Sequence, residues 1–340
     1  MKKSLLALAV LGAFAGAASA QSSVTMFGVI DVNYRHVDNG ALAMHSLSQD
    51  GINSSRLGVR GVEDMGGGLR AGFWLEGAMN PDTGTPAGQT WQRRSTVSLI
   101  GNWGELRLGR DYTPGFWNTT IFDPFGTNGV GAFTNISINP AGGAGNNIYV
   151  RASNSVGYLL PSNLGGFYGQ IMFNAGENGV NSKLKYSVRF GYAAGPFDVA
   201  YSSQEVEATT GPSSKATHDN LAGSWNFGFM KLMAQFDSVK QSPVSAQVWM
   251  LGVVAPLGQG EIHASWVDGN LKGTAAIDPN DATQLAIGYV YNLSKRTALY
   301  GTYSQIDNKG NQALSVSNNV PPQTPGAKSQ GYEFGVRHAF

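Results

Sequence analysis

Five histidines (His36, His45, His218, His263 and His338) are the side chains that ordinarily titrate near neutral pH, and they are scattered along the chain. They form no H-E-x-x-H pair, and no metal-ligand spacing groups them. There is no cysteine, which removes disulfides, zinc–thiolate sites and thiol nucleophiles. Nucleophile-elbow, dinucleotide and phosphate-loop patterns are also missing, and the glycines of Met65-Gly-Gly-Gly-Leu69 read as a turn beside a strand start. What remains is fixed charge. Segment 112–150 carries one carboxylate, Asp123, and no lysine or arginine. Arg56, Arg93, Arg94 and Arg151 lie in the segments around it. A guanidinium does not deprotonate, so it can attract and orient anions but cannot exchange protons.

The elements that must position these arginines are strands. Val24, Met26, Ile30, Val32 and Tyr34 share one parity, while Thr25, Asp31, Asn33 and Arg35 take the other. The same alternation runs through Leu184, Tyr186, Val188, Phe190 and Tyr192, and again through Tyr332, Phe334, Val336, His338 and Phe340 at the last residue. Glycine is abundant, 46 of 340 residues, and charged residues are only 13%, against about 7% and about 25% in ordinary domains. Helical periodicity is nowhere sustained after residue 20. Residues 1–20 have a basic head, a short apolar stretch and Ala18-Ser19-Ala20, the pattern of a cleaved export signal. After removal of Lys2 and Lys3 the charges nearly balance, which gives no reason to expect nucleic acid as a partner.

Connections alternate in length. Short ones fall at 64–68, 101–104, 161–166, 194–196, 226–228, 256–260 and 292–296. Longer polar ones fall near 37–52, 81–90, 112–150, 176–182, 207–219, 240–245, 269–282 and 307–329. Seven turns and eight loops imply sixteen strands, one domain over residues 21–340. The expected fold is all-β: a sixteen-stranded antiparallel transmembrane barrel, its apolar face covered by lipid. Phe340 then lies at the membrane boundary, where aromatic rings are favoured. Segment 112–150 exceeds the ordinary length of an unstructured loop. Its Phe116, Trp117, Ile121, Phe122, Phe125, Phe133, Ile136 and Ile148 need burial, which a barrel interior offers.

Parity assigns directions. Arg56 opposes Leu57 and Val59, so it points into the lumen. Arg151 shares parity with Ser153, Ser155 and Gly157, and it points the same way. Arg93 and Arg94 are neighbours, so one of them must face the lumen, although Val97 and Leu99 share the parity of Arg93. Arg60 and Arg94 are secondary pore or wall candidates. Arg110 shares parity with Leu106 and Leu108, outside or at the rim. Three unpaired arginines against one carboxylate, Asp123, make an anion-preferring passage the expectation.

The stretches "SSVTMFGVIDV", "SRLGVRGVEDMGGGLRAGFWLEG", "GELRLGRDYTP", "DPFG", "SNSVGYLLPSNLGGFYGQ" and "GYEFGVRHAF" occur in order through residues 21–340. Together they resemble the general porins of Gram-negative bacteria, β-proteobacterial type. That resemblance implies homotrimers of sixteen-stranded barrels in the outer membrane, in contact with lipid and lipopolysaccharide. Each barrel has a water-filled pore narrowed by an inward-folded third external loop, through which small hydrophilic solutes and ions diffuse. It implies no enzyme activity, cofactor or metal. It favours Arg93 over Arg94 at the constriction, places Arg110 near a trimer contact, and makes the terminal Phe340 a signal read by the barrel-assembly machinery. The competing classes are an adhesin or receptor barrel, whose plug would need extra mass, and a secreted all-β hydrolase.

Overall fold

The computed structural model describes residues 23–40, 42–88, 90–136, 150–175, 184–207, 215–317 and 324–340. The expected signal peptide, residues 1–20, and Ile148 lie outside them. Strands follow one another as β1 (Ser23–Asp38), β2 (Ala43–Ser48), β3 (Arg56–Gly66), β4 (Leu69–Asn80), β5 (Thr85–Pro86), β6 (Arg94–Gly101), β7 (Gly104–Tyr112), β8 (Arg151–Leu159) and β9 (Phe167–Asn174). They continue as β10 (Leu184–Ala194), β11 (Phe197–Glu207), β12 (Lys215–Asn226), β13 (Lys231–Gln241), β14 (Val244–Leu257), β15 (Gly260–Lys272), β16 (Ala282–Asn292), β17 (Thr297–Asn308) and β18 (Lys328–Ala339).

Sixteen of these form the wall. β2 and β5 are short additions inside the segments expected as loops at 37–52 and 81–90: β2 extends the pairing of β1, and β5 folds back on β4. Every wall strand pairs antiparallel with its neighbours, and β18 closes on β1 through Ile30↔His338, Val32↔Val336 and Tyr34↔Phe334. Closure gives every described wall strand a partner on both sides, the condition for a sheet to cross a membrane. Beyond Ala339, the Phe340 amide and carbonyl exchange hydrogen bonds with Gly28, both 3.1 Å. The Phe340 ring occupies the space where a side chain at position 28 would stand, so glycine there lets the ring pack against the β1 backbone.

The two faces of the wall differ as the alternation requires. In β6, Val97 is 55% exposed while Thr96 and Ser98 on either side are 6% and 7% exposed. Apolar side chains line the outside, and polar ones are packed inside. All seven expected tight turns join wall strands. The first is built on Gly66, Gly67 and Gly68, all with φ between 63° and 82°, which side chains rarely adopt. One expected loop is corrected: 240–245 is a tight turn, because Lys240↔Ser245 and Gln241↔Val244 continue the ladder to its end. Polar residues there belong to the strand tops.

Candidate functional site

Arg56 opens β3, Glu76 lies near the end of β4, Arg94 opens β6, Tyr112 closes β7 and Arg151 opens β8. Neighbouring strands therefore gather these side chains at the loop end of the wall. They line a cavity of about 720 Å³ together with Arg93, Trp74, Phe116 and Trp117.

Tyr112 organises the cluster. Its hydroxyl accepts from Arg93 Nη2 at 2.5 Å and from Arg151 Nη2 at 2.6 Å. The Arg151 guanidinium lies over the same ring, 4.2 Å from its centroid, and Phe116 stacks on the ring within 9° of parallel. Arg93 Nε donates to Glu76 Oε1 at 2.6 Å. Arg56 Nε stands 3.7 Å from the same oxygen, too far for a good hydrogen bond. Three guanidiniums thus face one carboxylate, an excess of two positive charges. Below them Arg94 and Arg107 balance Asp111 and Glu105, so that layer adds nothing net.

Both Arg93 and Arg94 reach this cavity. Strand β6 begins only at Arg94, so strand parity does not govern Arg93, whose backbone and side chain are both held by Glu76. The parity argument for Arg151 also needs correction. The ladder between β7 and β8 shifts between Gly109 and Asp111, opposite Asn154 with φ 53°, and such a bulge exchanges the faces beyond it. Arg151 reaches the cavity because it sits at the strand mouth, tied to Tyr112 and to the Arg93 carbonyl at 3.1 Å. Deeper in the wall, Trp74 lies between Arg60 and Arg94, whose guanidiniums are 4.9 Å and 4.5 Å from its ring. Its indole N–H donates to Glu76. Arg110, expected at the rim, donates to the Gln92 carbonyl at 2.6 Å and to Ser153 Oγ at 2.7 Å, fastening β7 to the β8 bulge.

Asp123 is not where the arginines are. It is 4% exposed, and its oxygens accept from the amides of Phe125, Thr127 and Phe133 at 2.8–3.0 Å. Burial pushes its pKa up to about 6 against the pull of those amides. Its role is to fold its own segment, and the counter-charge at the arginines is Glu76. Sequence reasoning missed Glu76, although its parity opposes Phe73 and Leu75, and it missed Tyr112.

The rest of segment 112–136 is fastened to the far strands. Thr113 caps helix α1 (Pro114–Ile121) by accepting from the Phe116 amide, and Pro114 sits in its first turn. Asn118 bonds Asn220 of β12 at 2.5 Å and accepts from Arg189 of β10 at 2.8 Å. The Gly115 amide donates to Ser187, Gln284 of β16 donates to the Gly131 and Ala132 carbonyls, and Glu333 of β18 accepts from the Val130 amide. Phe122, Phe133 and Ile136 are completely buried, each worth roughly 1.5–3 kcal/mol relative to exposure. Ile121 remains 37% exposed.

A family profile described as Gram-negative porin matches residues 7–311. The chain is 39% identical to outer membrane porin protein 32 of Delftia acidovorans over the whole of both chains. It is 31% identical, again end to end, to an outer membrane porin protein of Bordetella pertussis. Among solved structures, the anion-selective porin from Comamonas acidovorans superposes with a TM-score of 0.84 at 35% identity, covering 94% of this chain and all of that one. The chain belongs to the Gram-negative porin family, and its place is the outer membrane. These relatives make it a channel.

Proposed function

We propose that this porin is a general diffusion channel with a preference for anions. The long segment that begins at Tyr112 folds into the lumen through residues 112–136 as the constriction, and Arg56, Arg93 and Arg151 set the sign of selectivity, with Arg60 and Arg94 as secondary wall charges. The observation that carries this is the convergence of three guanidiniums on Tyr112 and Glu76 beside an open cavity. A unit charge about 7 Å away in water contributes roughly 0.6 kcal/mol. A net excess of two charges therefore favours a monovalent anion over a neutral solute by about 1.2 kcal/mol, or roughly sevenfold. That is less than three unpaired arginines would give, because Glu76 cancels one. The Comamonas porin, described as anion-selective, supports the same sign.

Liposome swelling tests this: at low ionic strength gluconate should enter several-fold faster than a neutral sugar of similar size. Equal rates, or faster entry of a cationic analogue, would sink the proposal. The chain further assembles as a homotrimer among outer-membrane lipid and lipopolysaccharide, with Arg110 near the contact and Phe340 presented to the assembly machinery. The exposed apolar faces of β1 and β18 offer a neighbour what they offer lipid. The expected mass in mild detergent is that of three chains, and a single-chain mass contradicts it.

A further inference from the structure

His36 on β1 and His45 on β2 stand directly opposite each other in the antiparallel register. Neither takes part in the arginine cavity. They project from the outer side of the wall, one position beyond Tyr34 toward the loop end, with His45 exposed and His36 half-buried. Tyr34 and Tyr332 flank them: the Tyr34 hydroxyl lies 2.5 Å from His45 Nδ1, and the Tyr332 ring lies 5.1 Å from that of His36. Interfacial tyrosines mark the headgroup level, so the imidazoles sit on its watery side.

The two Nδ1 atoms are 3.3 Å apart. Two neutral imidazoles meeting there can share one proton at best. A tetrahedral ion bound to both, with bonds of about 2.05 Å, requires the nitrogens to be about 3.3 Å apart. Imidazole nitrogen is a preferred ligand for divalent transition ions. We propose that His36 and His45 are a two-imidazole chelate for a divalent transition ion such as Zn2+, clamping the β2 hairpin to the outer end of β1. Among the described residues no third His, Asp or Glu side chain is placed to hold a metal ion with this pair, so water, or the Tyr34 hydroxyl after a small shift, completes the shell. Two protein ligands make this a modest site, filled when the ion is plentiful outside.

The test is calorimetric titration of Zn2+ into the full-length protein in detergent. One ion per chain should bind. His36→Ala and His45→Ala should each weaken binding by roughly a hundredfold, because the second ligand acts intramolecularly, and the double variant should be little worse than either single one. Channel conductance should be unchanged in all three, which also reports correct folding; His45→Gln serves where alanine disturbs the hairpin. A wild-type protein that binds no Zn2+, or a double variant that binds it like the parent, overturns the proposal. So do single-variant losses that simply add, since a chelate must be non-additive.

Discussion

Glu76 limits the positive excess at the cavity, and it does so through a single close bond to Arg93 while Arg56 stays 3.7 Å off. Arg56 is thus only loosely neutralised, and Arg151, held by the Tyr112 hydroxyl and the Arg93 carbonyl, meets no carboxylate among the ion pairs of the described residues. Glu76→Gln keeps an oxygen for Arg93 Nε but removes the charge, so anion preference should rise by roughly threefold at low salt, the equivalent of one unit charge. Arg56→Ala should lower it by a similar factor. Single-channel selectivity of the two variants checks both, and a Glu76→Gln pore that loses preference contradicts the charge assignment. Arg56 was legible by parity and Arg93 through the family resemblance, whereas Arg151 reaches the cavity for a reason other than its parity. Glu76 was equally readable because its parity opposes Phe73 and Leu75, but carboxylates were counted only in segment 112–150. Asp123 was misread because nothing in its type shows that three amides of its own segment will claim it.

Segment 112–136 behaves as an element of its own, with α1 fastened by Asn118 and Arg189 and the turn beyond it folded on Asp123. The folded state holds the Asp123 pKa at about 6, above the ordinary aspartate value of about 3.9. Between these values the folded segment binds more protons than the unfolded one. Its stability is therefore full below about pH 4, falls as pH rises through about 6, and is flat above. Opening free energies from amide exchange at Thr127 and Phe133 should be larger at pH 4.5 than at pH 7, and the reverse order contradicts this. Length and aromatic content announced that this segment is structured, but its bonding partners depend on strands as far along the chain as β16 and β18. The β8 bulge was equally hidden: Asn154 gives no sign that its φ is positive, and parity counted through it assigns Arg151 by a rule that fails there.

For the whole molecule, side-chain alternation revealed a lipid-facing wall because lipid outside and water inside enforce a period of two on every strand, and the count of turns and loops revealed its sixteen strands. Glycine-rich turns such as Gly66–Gly68 marked one end of the barrel. The opposite end was harder, since polar residues at 240–245 look like a loop whether the strands stop below them or run through. At this scale the cluster of Arg56, Arg93 and Arg151 should govern what crosses, because only charges on the ion's path steer it. Their reach shrinks with the Debye length, from about 8 Å at physiological ionic strength to 3 Å at 1 M, so selectivity should fade as salt rises. The most direct measurement is the reversal potential of single channels across a KCl gradient at low salt, for the wild type and for the variant carrying Arg56→Ala, Arg93→Ala and Arg151→Ala together. The wild type should show the sign of an anion-preferring pore, and the triple variant should lose that preference or reverse it through the uncovered Glu76. A wild-type potential of cation-preferring sign, or a triple variant as anion-selective as its parent, would contradict the arginine constriction.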